Sequence, residues 1–203
     1  MIINLGDAPF KAFIKVTYKT GTCTCTNGKK TYTHSGGGTA TFEVNAKGSW
    51  TVKATYGSVS ASQSVTISSR NETKSVTLVY KLDLYNAGNQ CTSVTGGWVT
   101  KGDANLEASK MNAWSSWQTS GFTTNNTLSF TGFSKICVTF GYYESTTRIK
   151  IVDSTDIHAT AKATQYANAT TTTMAIGAIT SGKVQICMNA NQGFTVTKVW
   201  LES

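Results

Sequence analysis

From Trp50 to Ile67 the sequence reads WTVKATYGSVSASQSVTI, and its residues alternate. Trp50, Val52, Ala54 and Tyr56 share one face of an extended chain, with Thr51, Lys53 and Thr55 on the other. After Gly57-Ser58 the alternation resumes through Val59, Ala61, Val65 and Ile67, broken only at Gln63. A period of two on both sides of a short turn specifies a β-hairpin, because a one-residue slip would send every apolar side chain to the wrong face. The same period recurs through Phe10–Tyr18, TATFEV and KSVTLVY, and later through Ile136–Phe140, TTRIKIVD, Val184–Met188 and FTVTKVWLE. The chain is expected to be all-β, with helix almost absent.

Composition agrees. Charged residues make up 14% and hydrophobic residues 39% of the 203 positions, the balance being largely Thr, Ser, Gly and Asn. β-Branched threonine suits a pleated surface, and the aromatic content is too high for a disordered chain. Turn signals every 8–12 residues in the first part predict about seven short strands, enough for a small sandwich. Among them Asn27-Gly28 predicts a tight two-residue hairpin turn. The expected division is residues 1–82 and 83–203, two β-sandwiches. In the second, KGDANLEASKMNAWSSWQTSG has a patchy period that suits strand or loop with one helical turn. HATAKATQYANATTTT reads as a loop or edge strand, with Thr170–Thr173 as its exposed part.

The opening MIINLGDAPFKAF has no basic start, long apolar run or small-residue cleavage site, so no export leader is expected there. No stretch approaches the roughly 20 apolar residues of a membrane span, so no membrane partner is expected. A mature fragment, or a protein released by lysis, would both fit. The five cysteines, Cys23, Cys25, Cys91, Cys137 and Cys187, are an odd number and lack CxxC spacing. They read as small buried hydrophobes. A Cys137–Cys187 bridge stays open, since it needs neighbouring strands and an oxidising compartment.

The net charge of +8 is uneven: residues 1–82 hold ten Lys/Arg against three acids, and residues 83–203 hold eight against seven. Lys11, Lys15 and Lys19 share one strand face and form a candidate docking row for an acidic surface. Lysines that merely keep strands soluble give the same pattern. Nucleic acid is disfavoured, because only Arg70 and Arg148 could supply bidentate contacts and no recognition motif is present.

The run GGGTATFEVNAKGSWTVKATYGSVSASQSVTI is similar to the Gly-x-Ala-x-Phe … Gly-x-Trp-x-Val pattern of Ig-like and carboxypeptidase-regulatory-like repeats. The match covers roughly residues 8–80 and bears on fold more than on function. Such modules look like stalks and adaptors in bacterial surface proteins and tailed-phage virion proteins. The second half, ending in Val199, Trp200 and Leu201, resembles a jelly roll of the carbohydrate-binding-module type. Together these resemblances imply an Ig-like sandwich followed by a jelly-roll-like one. They imply a virion structural protein of a tailed phage (decoration, head-fibre or tail-associated) with capsid or tail partners. The first module would dock on the particle and the second would face host-surface carbohydrate. A homo-oligomer is compatible with this. The alternative is a secreted or cell-surface bacterial carbohydrate-binding or adhesin module.

Catalytic constellations are thin. GxSxG, HExxH and GKS/T are absent, and Asp153, Asp156 and His158 lack EF-hand spacing. Nothing in the sequence juxtaposes Glu107 with Glu144 as a glycosidase pair. A non-enzyme without metal or cofactor is expected. The aromatics offer more: Trp114 and Trp117 lie in the Ser/Asn-rich MNAWSSWQTSG, and Tyr142 and Tyr143 follow a strand in GYYESTTR. Flat rings amid small polar side chains suit sugar faces, and core packing is the competing use of such rings. These four are the candidate glycan-binding residues. Trp50 is expected to anchor the first core.

Overall fold

The computed structural model describes residues 9–203; most of the leader reading falls on residues 1–8, outside them. The chain divides into two compact units after Tyr80. Lys81 and Leu82, assigned above to the first unit, open a strand that pairs with the last strand of the second. Among the described residues one helix forms, the four-residue α1 (Thr92–Thr95), and it is not long enough to cross a membrane.

The first unit holds β1 (Ala12–Tyr18), β2 (Thr22–Thr26), β3 (Thr31–Ser35), β4 (Gly38–Val44), β5 (Gly48–Tyr56), β6 (Val59–Ile67) and β7 (Thr73–Thr77). They form two sheets, β4-β1-β7 and β3-β2-β5-β6, with β1 and β7 parallel. The alternation is met residue by residue. Ile14, Val16, Phe42, Val44, Trp50, Val52, Ala54, Val65, Ile67 and Val76 are buried, and their neighbours in sequence face water. Trp50 is fully buried, donates from Nε1 to the Ala46 carbonyl at 3.2 Å, and packs 5.9 Å from the ring of Tyr32. Tyr18 Oη and His34 Nδ1, one from each sheet, share a hydrogen bond of 2.8 Å. The β5–β6 register is unbroken from Gly48↔Ile67 to Tyr56↔Val59. Gln63 takes an inward position there yet stays exposed, because β6 is an edge strand and the side chain escapes past it.

Two local expectations are corrected and a third is met in one of its alternatives. Asn27-Gly28 does not make a two-residue turn. Asn27 Oδ1 accepts the Lys29 and Lys30 N–H groups at 3.0 and 2.8 Å, and only Gly28 takes a positive φ, so residues 27–30 form a four-residue connection. The helical turn sits at Thr92–Thr95, not in 101–121, and is stopped by Gly96 in the left-handed region. The segment read as loop or edge strand forms two edge strands, Ala163–Tyr166 and Thr171–Ala175; within the second, Thr172 is buried, its hydroxyl donating to the Ala169 carbonyl at 3.0 Å.

The second unit holds β8 (Lys81–Asn86), β9 (Trp98–Lys101), β10 (Ala104–Leu106), β11 (Met111–Ser115), β12 (Ser120–Thr124), β13 (Leu128–Ser129), β14 (Lys135–Tyr143), β15 (Arg148–Val152), β16 (Ala163–Tyr166), β17 (Thr171–Ala175), β18 (Ser181–Met188) and β19 (Gln192–Glu202). The front sheet is β10-β11-β19-β14-β17 with β8 on β19; the back sheet is β16-β15-β18-β12-β9 with β13 on β18. Both contribute to one core that includes Phe122, Phe140, Phe194, Ile149, Ile186 and Val196. The two sheets thus bury apolar faces against each other, a β-sandwich.

All five cysteines are free. Cys137 is on the outward side of β14 beside Thr173, and Cys187 is on the outward side of β18, so they face apart and cannot bridge. Burial, with Cys23 adding to it, pushes the Cys25 thiol up to about 12.

One end of the front sheet is fixed by charge. Glu202 accepts from Lys135 at 2.7 Å, Lys81 at 3.3 Å and Trp200 Nε1 at 3.1 Å. Burial works to raise this carboxyl, but these donors overcome it and hold it at about 2, against an ordinary value of 4.5. A folded pKa below the unfolded one gives stability that is present above about 4.5 and lost as pH falls toward 2. The transition of the second unit is therefore expected to drop across this window, and Glu202→Gln to flatten its pH dependence, measured by calorimetric melting from pH 6 to 2.5.

Candidate functional site

The two outer faces of the second unit differ. The back face is covered. Gln185 is buried and donates to the Thr123 hydroxyl and the Asp156 carbonyl, both at 2.9 Å; Lys150 donates to the Ala159 carbonyl at 2.9 Å. These bonds hold the 153–162 connection across the sheet. Asp153 pairs with Lys162 at 2.5 Å and Asp156 caps the His158 N–H at 3.0 Å. Among the described residues no three His, Cys, Asp or Glu side chains are placed to hold a metal.

The front face is open and carries the exposed Trp114 and Tyr142, while one exposed ring, Tyr166 on β16, lies at the edge of the back sheet. On β11, Met111, Ala113 and Ser115 face the core, so Asn112 and Trp114 face out. Cross-strand register builds a row across four strands: Asn105 opposite Asn112, Asn112 opposite Thr195, and Thr195 opposite Tyr142. Strand spacing of 4.7–4.9 Å makes this row about 14 Å long. It offers two carboxamides, a hydroxyl and a phenol.

Beside the row, Trp114 stands opposite Gly193. A Cβ built on Gly193 would lie 2.6 Å from the Trp114 ring at Cε3. The indole therefore covers β19 where a side chain is missing, and it is still 57% exposed. A second side chain is missing at Gly141, where a Cβ would meet Thr195 Oγ1 at 2.7 Å. The space left by the two glycines is taken by the Trp114 ring and by the Thr195 hydroxyl.

Tyr142, 49% exposed, donates its phenol to Glu144. That bond raises the phenol's pKa and fixes where the ring points. Trp117, 71% exposed, lies in the β11–β12 turn, where Ser115 Oγ accepts the Trp117 and Gln118 N–H groups at 3.4 and 3.1 Å.

Of the four candidate glycan residues, Trp114 and Tyr142 share the face, Trp117 lies three residues from Trp114 at the end of its strand, and Tyr143 turns inward. Tyr143 pairs opposite the core residue Phe194 and packs 5.5 Å from Phe140. The two tyrosines do not follow the strand but end it: a bulge around Phe140–Tyr142 lets β14 continue. Asn105, Asn112 and Thr195 carry no sequence signal of their own. Their role comes from register with Trp114.

Trp200 also faces out on β19, but Lys198 and Lys81 lie over its ring at 5.5 and 5.8 Å from the centroid. Only the Trp114 end of the face presents a bare ring. Glu107 and Glu144 do not form a facing pair. Glu107 accepts from Asn112 at 2.9 Å and pairs with Lys110 at 3.4 Å, while Glu144 holds Tyr142, on opposite sides of β19.

In the first unit, Lys11, Lys15 and Lys19 are exposed along β1 and its end. Lys11 is balanced by Glu43 at 3.0 Å.

No family model matches the chain and no curated protein matches its sequence. Among solved structures it is similar to CBM86, described as a low-affinity xylan-binding module of the gut symbiont Roseburia intestinalis. Identity is 14% and the TM-score 0.40, over 51% of this chain and 84% of that one. It is also similar to a DUF3823 family protein of Bacteroides ovatus, at 9% identity and TM-score 0.23 over 94% and 97% of the two chains.

Proposed function

We propose that this protein is a carbohydrate-binding module, and that it binds glycan on the front face of its second unit without transforming it. The observation that carries this reading is Trp114, half exposed and lying over Gly193, beside the row Asn105–Asn112–Thr195–Tyr142. A rigid ring stacks against the C–H face of a sugar with little loss of rotamer freedom, and carboxamides and hydroxyls meet its hydroxyls. Stacking also removes the exposed apolar area of these rings from water.

Of the two roles raised by the sequence, this takes the carbohydrate-binding alternative over the particle-docking one. The bare aromatic face is a ligand feature, whereas the lysine row is matched by ordinary solvated strand lysines. A secreted or cell-surface location goes with this reading, since polymeric glycans of this kind lie outside cells.

Affinity electrophoresis of the full chain in gels containing soluble neutral polysaccharides, with tryptophan fluorescence titration, tests it. Retarded migration in at least one polymer is expected. Gly193→Ala should lift the Trp114 ring and weaken binding about fivefold, the worth of roughly 1 kcal/mol for an aligned ring contact. Equal migration in all gels, with and without polymer, overturns the proposal.

A further inference from the structure

The charge around the aromatic face differs from the charge of the chain. With a net +8 and an isoelectric point near 9.3, the whole protein should attract polyanions. Most of that excess lies in the first unit, where residues 1–80 hold nine Lys/Arg against three acids, while residues 81–203 hold nine against seven. At the face itself the ionised groups that touch its polar side chains are carboxylates. Glu144 accepts the Tyr142 phenol on one side of β19. Glu107 accepts Asn112 on the other. Asp103 accepts Gln118, next to Trp117, at 3.0 Å. Lys110 offsets Glu107 at 3.4 Å. On the same sheet, Lys81, Lys135 and Lys198 are engaged at the far end with Glu202 and Asp83. Lys198 stands nearest, three residues or about 10 Å along β19 from Thr195, and its charge is taken up by Asp83 at 3.4 Å.

We infer that the face selects neutral glycan chains and rejects chains that carry uronate groups. The inference rests on the carbohydrate-binding reading above and names the substrate class of the same site. A sugar ring stacked on Trp114 places its substituents over the row that ends at Tyr142 and Glu144. A hydroxymethyl group there finds acceptors among Glu144, Asn112 and Thr195. A carboxylate there meets Glu144, while the nearest lysines of the face, Lys110 and Lys198, are already paired with Glu107 and Asp83, so it is repelled in a partly desolvated setting. Rejection by like charge is a common source of specificity between ligands of similar shape.

A matched pair of polymers tests this: a polyuronate and its carboxyl-reduced derivative, which differ only in carboxylate against hydroxymethyl. Binding is counted as the part that Trp114→Ala removes, which leaves out attraction of the polyanion to the lysines of residues 1–82. In that measure the reduced polymer is expected to bind the full chain at least about tenfold more tightly at low salt, and added salt should narrow the gap by strengthening the polyuronate's binding, since screening relieves repulsion. Glu144→Gln should narrow it too, read as the ratio of the two affinities within one variant. Trp114-dependent binding of the polyuronate that is as tight as that of the reduced polymer, or that weakens with salt, overturns the inference and leaves the glycan reading standing. Failure of both polymers, together with every neutral polysaccharide above, overturns the glycan reading itself.

Discussion

Trp114→Ala is expected to weaken glycan binding about thirtyfold, and Trp114→Ala with Tyr142→Ala to remove it from the range of titration. A central aromatic contact in an interface is worth about 2 kcal/mol or more, and 1.4 kcal/mol is a factor of ten. The two rings stand on either side of β19, opposite Gly193 and Thr195, so a bound chain touches both. Stability should change little, within about 0.5 kcal/mol, because both side chains are about half exposed and neither belongs to the core. Calorimetric titration with a binding polysaccharide, paired with a thermal melt, separates the two effects. Tyr143→Ala is the informative contrast: that ring packs on Phe140, so its loss should lower the melting temperature more than the affinity. Unchanged binding by the double variant would remove the front face as the site.

Trp50→Ala should destabilise the first unit by about 3–5 kcal/mol, the usual cost of deleting a large buried aromatic. The side chain is fully buried, its indole N–H is satisfied by the Ala46 carbonyl, and Tyr32 packs on it. Domains of this size hold about 5–15 kcal/mol in total, so the variant would sit near its unfolding limit at body temperature. The second unit has its own core and should keep its transition. Differential scanning calorimetry would show one transition lowered and the other in place. An unmoved first transition would mean that the pocket collapses without cost, against the close packing of protein interiors.

The period-two alternation determined the secondary structure, which side chains are buried, and that the chain makes two units. Alternation survives because a strand has only two faces and water discriminates between them; Trp50, Val52 and Ala54 could not be turned outward without exposing Thr51 and Lys53 to the core. What sequence order leaves open is which strands become neighbours. Gly193 lies 79 positions after Trp114 and Thr195 lies 53 after Tyr142, yet register sets them face to face. The same applies to Tyr142 and Tyr143, adjacent and chemically alike: the pleat sends them to opposite faces, and the bulge at Gly141 decides which faces out, since without it Tyr142 would continue the inward set of Ile136, Val138 and Phe140. The boundary moved from residue 82 to residue 80 because Lys81 and Leu82 pair with Glu202 and Leu201, a contact between the two ends of one unit. The cysteine question closed for the same reason: Cys137 and Cys187 both read as strand residues, and only the placement of their strands in opposite sheets shows that they face apart. Local pattern is set by each residue's preference for water or for the core. The site is set by long-range pairing, whose partners a single chain does not spell out.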